Sequence, residues 1–165
     1  MRQLLIILLF GLLTNLASIH SFAQPDTSKE LISRHWMSVK NVHKKFLKTA
    51  INFCSINQIK SNYPKATKEL SEKSISFLHV LNNARTLDSS IASQIDSLNI
   101  SLITSLITFF DKLQKDKLIL NQSKIRREGK KVEQEIQNIG REIHYFNYWI
   151  NEKNRINIKF NDINL

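Results

Sequence analysis

Glycine, proline and cysteine are nearly missing from this sequence: its 165 residues include three Gly, two Pro and one Cys. A fold of many strands needs frequent turn residues, and so few Gly and Pro exclude one. The lone Cys54 cannot form an internal disulfide, so stability has to come from packing. No histidine stands by another histidine or a carboxylate in a zinc-binding spacing such as H-E-x-x-H, and no metal site is assigned. No catalytic motif or cofactor-binding motif is present, so no cofactor is expected. Acid is scarce too: 14 Asp plus Glu face 24 Lys plus Arg, a formal charge of +10.

One long apolar run does occur, at the start. Arg2 is a short positive region, Leu4–Ile19 is almost continuously apolar, and Ser21 and Ala23 are small residues spaced for a signal peptidase. Pro25 just beyond cannot continue a helix. Residues 1–23 are therefore expected to be a signal peptide cleaved after Ala23, which makes the protein periplasmic or secreted. The alternative is an uncleaved N-terminal segment that tethers the chain to a membrane, although the run is shorter than the about 20 residues a spanning helix needs. No later segment is long and apolar enough to span: Leu98–Phe110 is interrupted by Asn99, Ser101, Thr104, Ser105 and Thr108. Cleavage would leave 142 residues, enough for one domain. Arg2 leaves with the signal, so the charge becomes +9.

An exported basic chain does not meet nucleic acid routinely. The expected partners are an anionic lipid or glycan surface, or a partner helix or protein. The richness in Lys, Asn, Ile and Ser also fits an adenine- and thymine-rich coding sequence, which accounts for part of the charge.

The remainder reads as helix. Thr27 and Glu30 have the spacing of a capping box. Ile32, Trp36, Val39, His43, Phe46, Ala50 and Phe53 recur at alternating spacings of four and three, with Leu31, Met37, Val42, Leu47, Ile51 and Cys54 widening the stripe. This first helix is expected to end at Asn62, Tyr63 and Pro64. A second runs from Pro64 to Ala84 on Leu70, Ser74, Phe77, Leu81 and Ala84, supported by Ile75 and Leu78. Thr86 to Ser90 offers caps for a third, carried by Ile91, Ile95, Leu98, Leu102, Leu106, Phe109 and Leu113. Its repeat Ser101-Leu-Ile-Thr104, Ser105-Leu-Ile-Thr108 has the period of a helix, although its β-branched content also suits a strand.

The fourth seam is the longest: Ile125, Gly129, Val132, Ile136, Ile139, Ile143, Phe146 and Ile150. Whether the third and fourth helices join through 118–123 is open. Gly129 and Gly140 each cost about 1 kcal/mol inside a helix, which points to close helix approach or a local bend. From Ile156 the period changes to two, so 156–165 is expected to be an extended or frayed tail. The expected fold is an all-α antiparallel bundle of three to four long amphipathic helices spanning 24–155.

Two clusters are candidate binding surfaces. Lys124, Arg126, Arg127, Lys130 and Lys131 hold only Glu128 as an internal counter-charge, and Lys124, Arg127 and Lys131 share a helical face. This is an anion-binding candidate, with a solvated face as the plainer reading. Tyr145, Tyr148 and Trp149 cluster around Phe146 as an interaction surface or as rings that seal a bundle end. His43 falls in an apolar seam, where it is either a satisfied core histidine or the polar centre of an interhelical pocket for a small-ligand carrier or enzyme. Cys54, beside Phe53, is either buried and inert or the site of an intermolecular disulfide. Long seams also permit homo-oligomers.

Trp36 and Val39 early, then Glu133, Ile136, Arg141 and the Tyr145-Phe-Asn147 to Asn151 stretch late, resemble scattered positions of the LemA family of helical envelope proteins. The family's Arg-rich segment leading into Leu-Ile-Pro-Asn-Leu is absent, with Lys44-Lys45-Phe46-Leu47 in its place, and its paired Tyr-Asn motifs are broken. What the resemblance implies is limited to a helical envelope protein.

Overall fold

The computed structural model describes residues 27–117, 122–161 and 163. The expected export segment and its cleavage point, the Thr27 side chain of the expected capping box, and residues 118–121 of the expected junction lie outside them. Among the described residues all regular structure is helical: α1 (Thr27–Cys54), α2 (Asn57–Asn62), α3 (Pro64–Asn83), α4 (Ser89–Lys115) and α5 (Ser123–Asn147). A π-helical turn, Tyr148–Lys153, continues α5.

The five helices pack together, α1 against α5 and α3, and α3 against α4. Contacts near the helix ends set their directions. Phe53, late in α1, meets Phe109 and Phe110, late in α4. His35, early in α1, meets Tyr145, late in α5. Lys40 of α1 donates to the Ala84 carbonyl just past α3 at 2.8 Å, and Tyr63 just before α3 donates to Asp116 just past α4. The four long helices therefore alternate up and down, as short connections require.

The four-three periodicity is what the core uses. Trp36, Val39, His43, Phe46, Ala50 and Phe53 of α1 are buried, as is every member of the α5 seam from Ile125 to Ile150. The tandem repeat lies within α4, where Ser105 and Thr108 donate to the carbonyls of Ser101 and Thr104. Those hydroxyls are satisfied along the helix and have no need of a strand neighbour. Met37 and Ile75, expected to widen the core stripes, are exposed instead.

The first helix ends at Cys54, where its apolar stripe stops, and not at the expected Asn62. Ser55 closes α1 by donating from its hydroxyl to the Asn52 carbonyl at 2.7 Å, and Ile56 turns to an extended conformation. The break allows Ile56 and Ile59 to reach the core, so α2 is a separate turn before Pro64. At the α4 start Asp88 is the cap, its carboxylate accepting from Ile91 N–H at 2.8 Å. At the other end α4 stops at Lys115, and Lys117 has a left-handed backbone (φ 57°), so α4 does not run on into α5.

Gly129 and Gly140 are not forced by close approach. A Cβ at Gly129 would lie 3.5 Å from a Phe110 ring carbon, and one at Gly140 3.8 Å from the Ile163 carbonyl, both ordinary contacts. After Lys153 the chain leaves helix but stays on the bundle. Phe160 is fully buried against Phe146, and the Asn147 side chain takes the backbone N–H and C=O of Phe160 at 3.0 and 2.8 Å. One residue on, Asn161 N–H donates to Asp96 of α4 at 2.8 Å.

Candidate functional site

Burial of Ile125, Gly129, Val132 and Ile136 turns the cationic residues of α5 outward, along its seam with α1. Part of the basic run is neutralised within the helix. Glu128 accepts from Lys131 at 3.0 Å and from Arg127 at 3.2 Å, and these cations, Lys131 first, hold its carboxyl below the usual range. Across the seam α1 adds a cation of its own: the Lys45 ammonium lies 2.9 Å from Glu135.

These groups enclose a cleft of about 350 Å³ lined by Lys45 and Thr49 of α1 with Lys130, Lys131, Gln134 and Glu135 of α5. A second cleft, about 400 Å³, lies where the end of α1 and α2 meet the start of α5, with Asn52, Ser55 and Gln58 facing Lys124 and Glu128. Lys130 and Lys131 thus line one cleft with Lys45, and Lys124 lines the other. Arg126 and Arg127 line neither cleft, Arg127 being tied to the groove through Glu128. Lys45 and Thr49 were not candidates from the sequence, because nothing local marks a lysine on another helix as a neighbour. The first cleft offers three ammonium groups, a hydroxyl and an amide beside the Glu135 carboxylate, a set that orients an anion by charge and hydrogen bonds.

The aromatic cluster sits at the other end of α5. Tyr145 and Tyr148 are 49% and 44% exposed, while Phe146 between them is fully buried. Trp149 is half-buried, edge-on to both tyrosines at 6.0 and 5.6 Å. His35 of α1 stacks on Trp149, 6.4 Å between centroids and 13° between planes. Phe146 therefore seals the core and the other rings form a surface.

His43 is fully buried. Its Nδ1 lies 2.8 Å from the Val39 carbonyl, which can only accept, so this nitrogen carries the proton. Nε2 has no protein partner, and burial pushes the pKa down to about 4, opposed by the Val39 contact. His43 is 0% exposed and lines none of the described cavities. Cys54 is also buried, and burial raises its thiol to about 11 against the pull of a Ser71 hydrogen bond. Cys54 is 2% exposed and lies in the wall of a cleft of about 500 Å³ with Thr67 and Ser71. Among the described residues no three His, Cys, Asp or Glu side chains gather to hold a metal ion, and no helix is long and apolar enough to cross a membrane.

Asp96 is the buried acid that the sequence reading passed over. Burial raises its pKa to about 6, opposed by the Asn161 N–H. No family model matches this chain, and neither a curated protein nor a solved structure does.

Proposed function

We propose that this protein is an exported, non-enzymatic helical module that binds an anionic surface at the cell envelope through the α1–α5 groove. The observation that carries the reading is the convergence of Lys45 with Lys130 and Lys131 on one cleft. Three ammonium groups from two helices share one opening with a single lining carboxylate, Glu135, which leaves the cleft an excess of positive charge. The expected N-terminal export signal supplies the compartment, where anionic lipid and anionic glycan are the abundant polyanions.

The test replaces Lys45, Lys130 and Lys131 together with Gln. Binding is measured to phosphatidylglycerol vesicles, to phosphatidylcholine vesicles and to an acidic polysaccharide. Loss of binding to an anionic probe, with helical content unchanged, supports the reading, and the probe that responds identifies the lipid or the glycan source. Unchanged binding refutes it.

A second reading, self-association, is favoured by Ile100 and Ile107, which are exposed one heptad apart on α4. Light scattering that finds only monomer at high concentration removes it.

A further inference from the structure

The two candidate surfaces lie at opposite ends of α5, and their separation has a functional meaning. The aromatic end is also where α1 begins, since His35 packs on Tyr145 and Trp149. The chain that precedes Thr27 therefore joins the bundle at this end. Only residues 20–26 separate Ile19, the last residue of the apolar run, from Thr27, a reach of at most about 29 Å.

The chemistry of this end suits the zone between lipid headgroups and acyl chains. Tyr and Trp carry an apolar ring and a polar tip, and they collect at membrane interfaces for that reason. Tyr145 and Tyr148 are turned outward from Phe146 and exposed, and exposed Lys153 and Arg155 follow directly. A water-facing bundle end has no need of three adjacent rings.

We propose that Tyr145, Tyr148 and Trp149 form a membrane-contact surface that seats in the headgroup zone of a bilayer, with the bundle standing away from it. The proposal rests on the retained form of the Leu4–Ile19 segment and is independent of anion binding in the groove. Lys131 is eighteen residues before Trp149, roughly 27 Å along the helix axis. Charge is screened over about 8 Å at physiological ionic strength. A bundle seated on its aromatic end thus holds the α1–α5 groove out of the field of the bilayer it stands on, free for a soluble or wall-bound polyanion.

Trp149 provides the readout, because the other tryptophan, Trp36, is buried in the core. The full chain is reconstituted into phosphatidylcholine vesicles with and without lipid brominated near the headgroup, and Trp149→Phe supplies the Trp36 background. The expected result is loss of Trp149 emission in brominated vesicles and protection from aqueous acrylamide. Tyr145→Ser with Tyr148→Ser should restore part of that emission. Replacing Lys45, Lys130 and Lys131 with Gln should leave the quenching unchanged. Trp149 emission untouched by brominated lipid overturns the proposal. So does a loss of quenching in the lysine variant, which would mean that the bundle lies flat on its groove. Failure of the groove reading appears separately, as unchanged polyanion binding by the lysine variant.

Discussion

Glu135 of α5 holds the Lys45 ammonium of α1 at 2.9 Å, and the pair is lopsided: the Glu135 side chain is 9% exposed and that of Lys45 67%. The carboxylate is a fixed part of the groove wall, kept in place also by the Asn138 amide at 3.0 Å, while the lysine is free to swing. An exposed partner limits the pair to about 0–1 kcal/mol of stability. Its larger effect is on the charge the groove presents.

Glu135→Gln and Glu128→Gln should therefore tighten binding of an anionic probe while costing at most about 1 kcal/mol in stability. Titration with phosphatidylglycerol vesicles or an acidic polysaccharide at low salt measures this, and added salt should erase the gain. Weaker binding in both variants would mean that the carboxylates position the ligand instead of competing with it.

The pH dependence of stability should show two opposing contributions. His43 is near 4 in the fold against an ordinary 6.5, so between these values the unfolded chain binds more protons and stability rises with pH. It is lost as pH falls, by roughly 3 kcal/mol for a fully buried imidazole. Asp96 is near 6 against 3.8, so the folded chain binds more protons there and stability falls as pH rises. The windows overlap, so between pH 4 and 6 the two contributions oppose each other, and the lowered His35 and Glu128 add to the His43 side. Asp96→Asn should restore a clear loss of stability on acidification, and His43→Phe should reverse the slope. Parallel pH curves for all three proteins would exclude this assignment.

Gly129→Ala and Gly140→Ala should each stabilise by about 1 kcal/mol, since both positions are helical and an added methyl meets only ordinary contacts. Thermal denaturation reads the sign directly. A loss at Gly129 would show that Phe110 cannot yield.

Phe160→Ala should cost about 3 kcal/mol or more if the tail is integral to the core. Asn147→Ala strips two hydrogen bonds from the same residue and should loosen the tail in a like way. Hydrogen exchange at the Asn161 amide is the local probe, because its acceptor, Asp96, lies on another helix. Full retention of protection in Asn147→Ala would show that Phe160 alone anchors the tail.

The all-helical class and the four long seams were legible because burying an apolar stripe at helical spacing is a local demand, written in residues three and four apart. The α1 break was less so: the stripe stops at Cys54, but no Gly or Pro follows before Pro64 to end the helix, and burial of Ile59 against the rest of the bundle outweighs one more helical turn. Met37 and Ile75 mislead for a related reason. An apolar residue at the edge of a stripe is buried only if a neighbouring helix reaches it.

At the groove, Lys124, Lys130 and Lys131 were visible as a charge run, and the aromatic triplet as a cluster, because each lies within a few turns of one helix. Their partners were not. Lys45 joins Lys130 and Lys131, and His35 joins Trp149, only through the packing of α1 against α5. Periodicity determines which side of a helix faces inward, since that requires only the helical repeat. The distance between the basic run and the aromatic end follows from the same repeat, but which outward-facing groups of different helices meet depends on how whole helices align, and tertiary packing alone decides it.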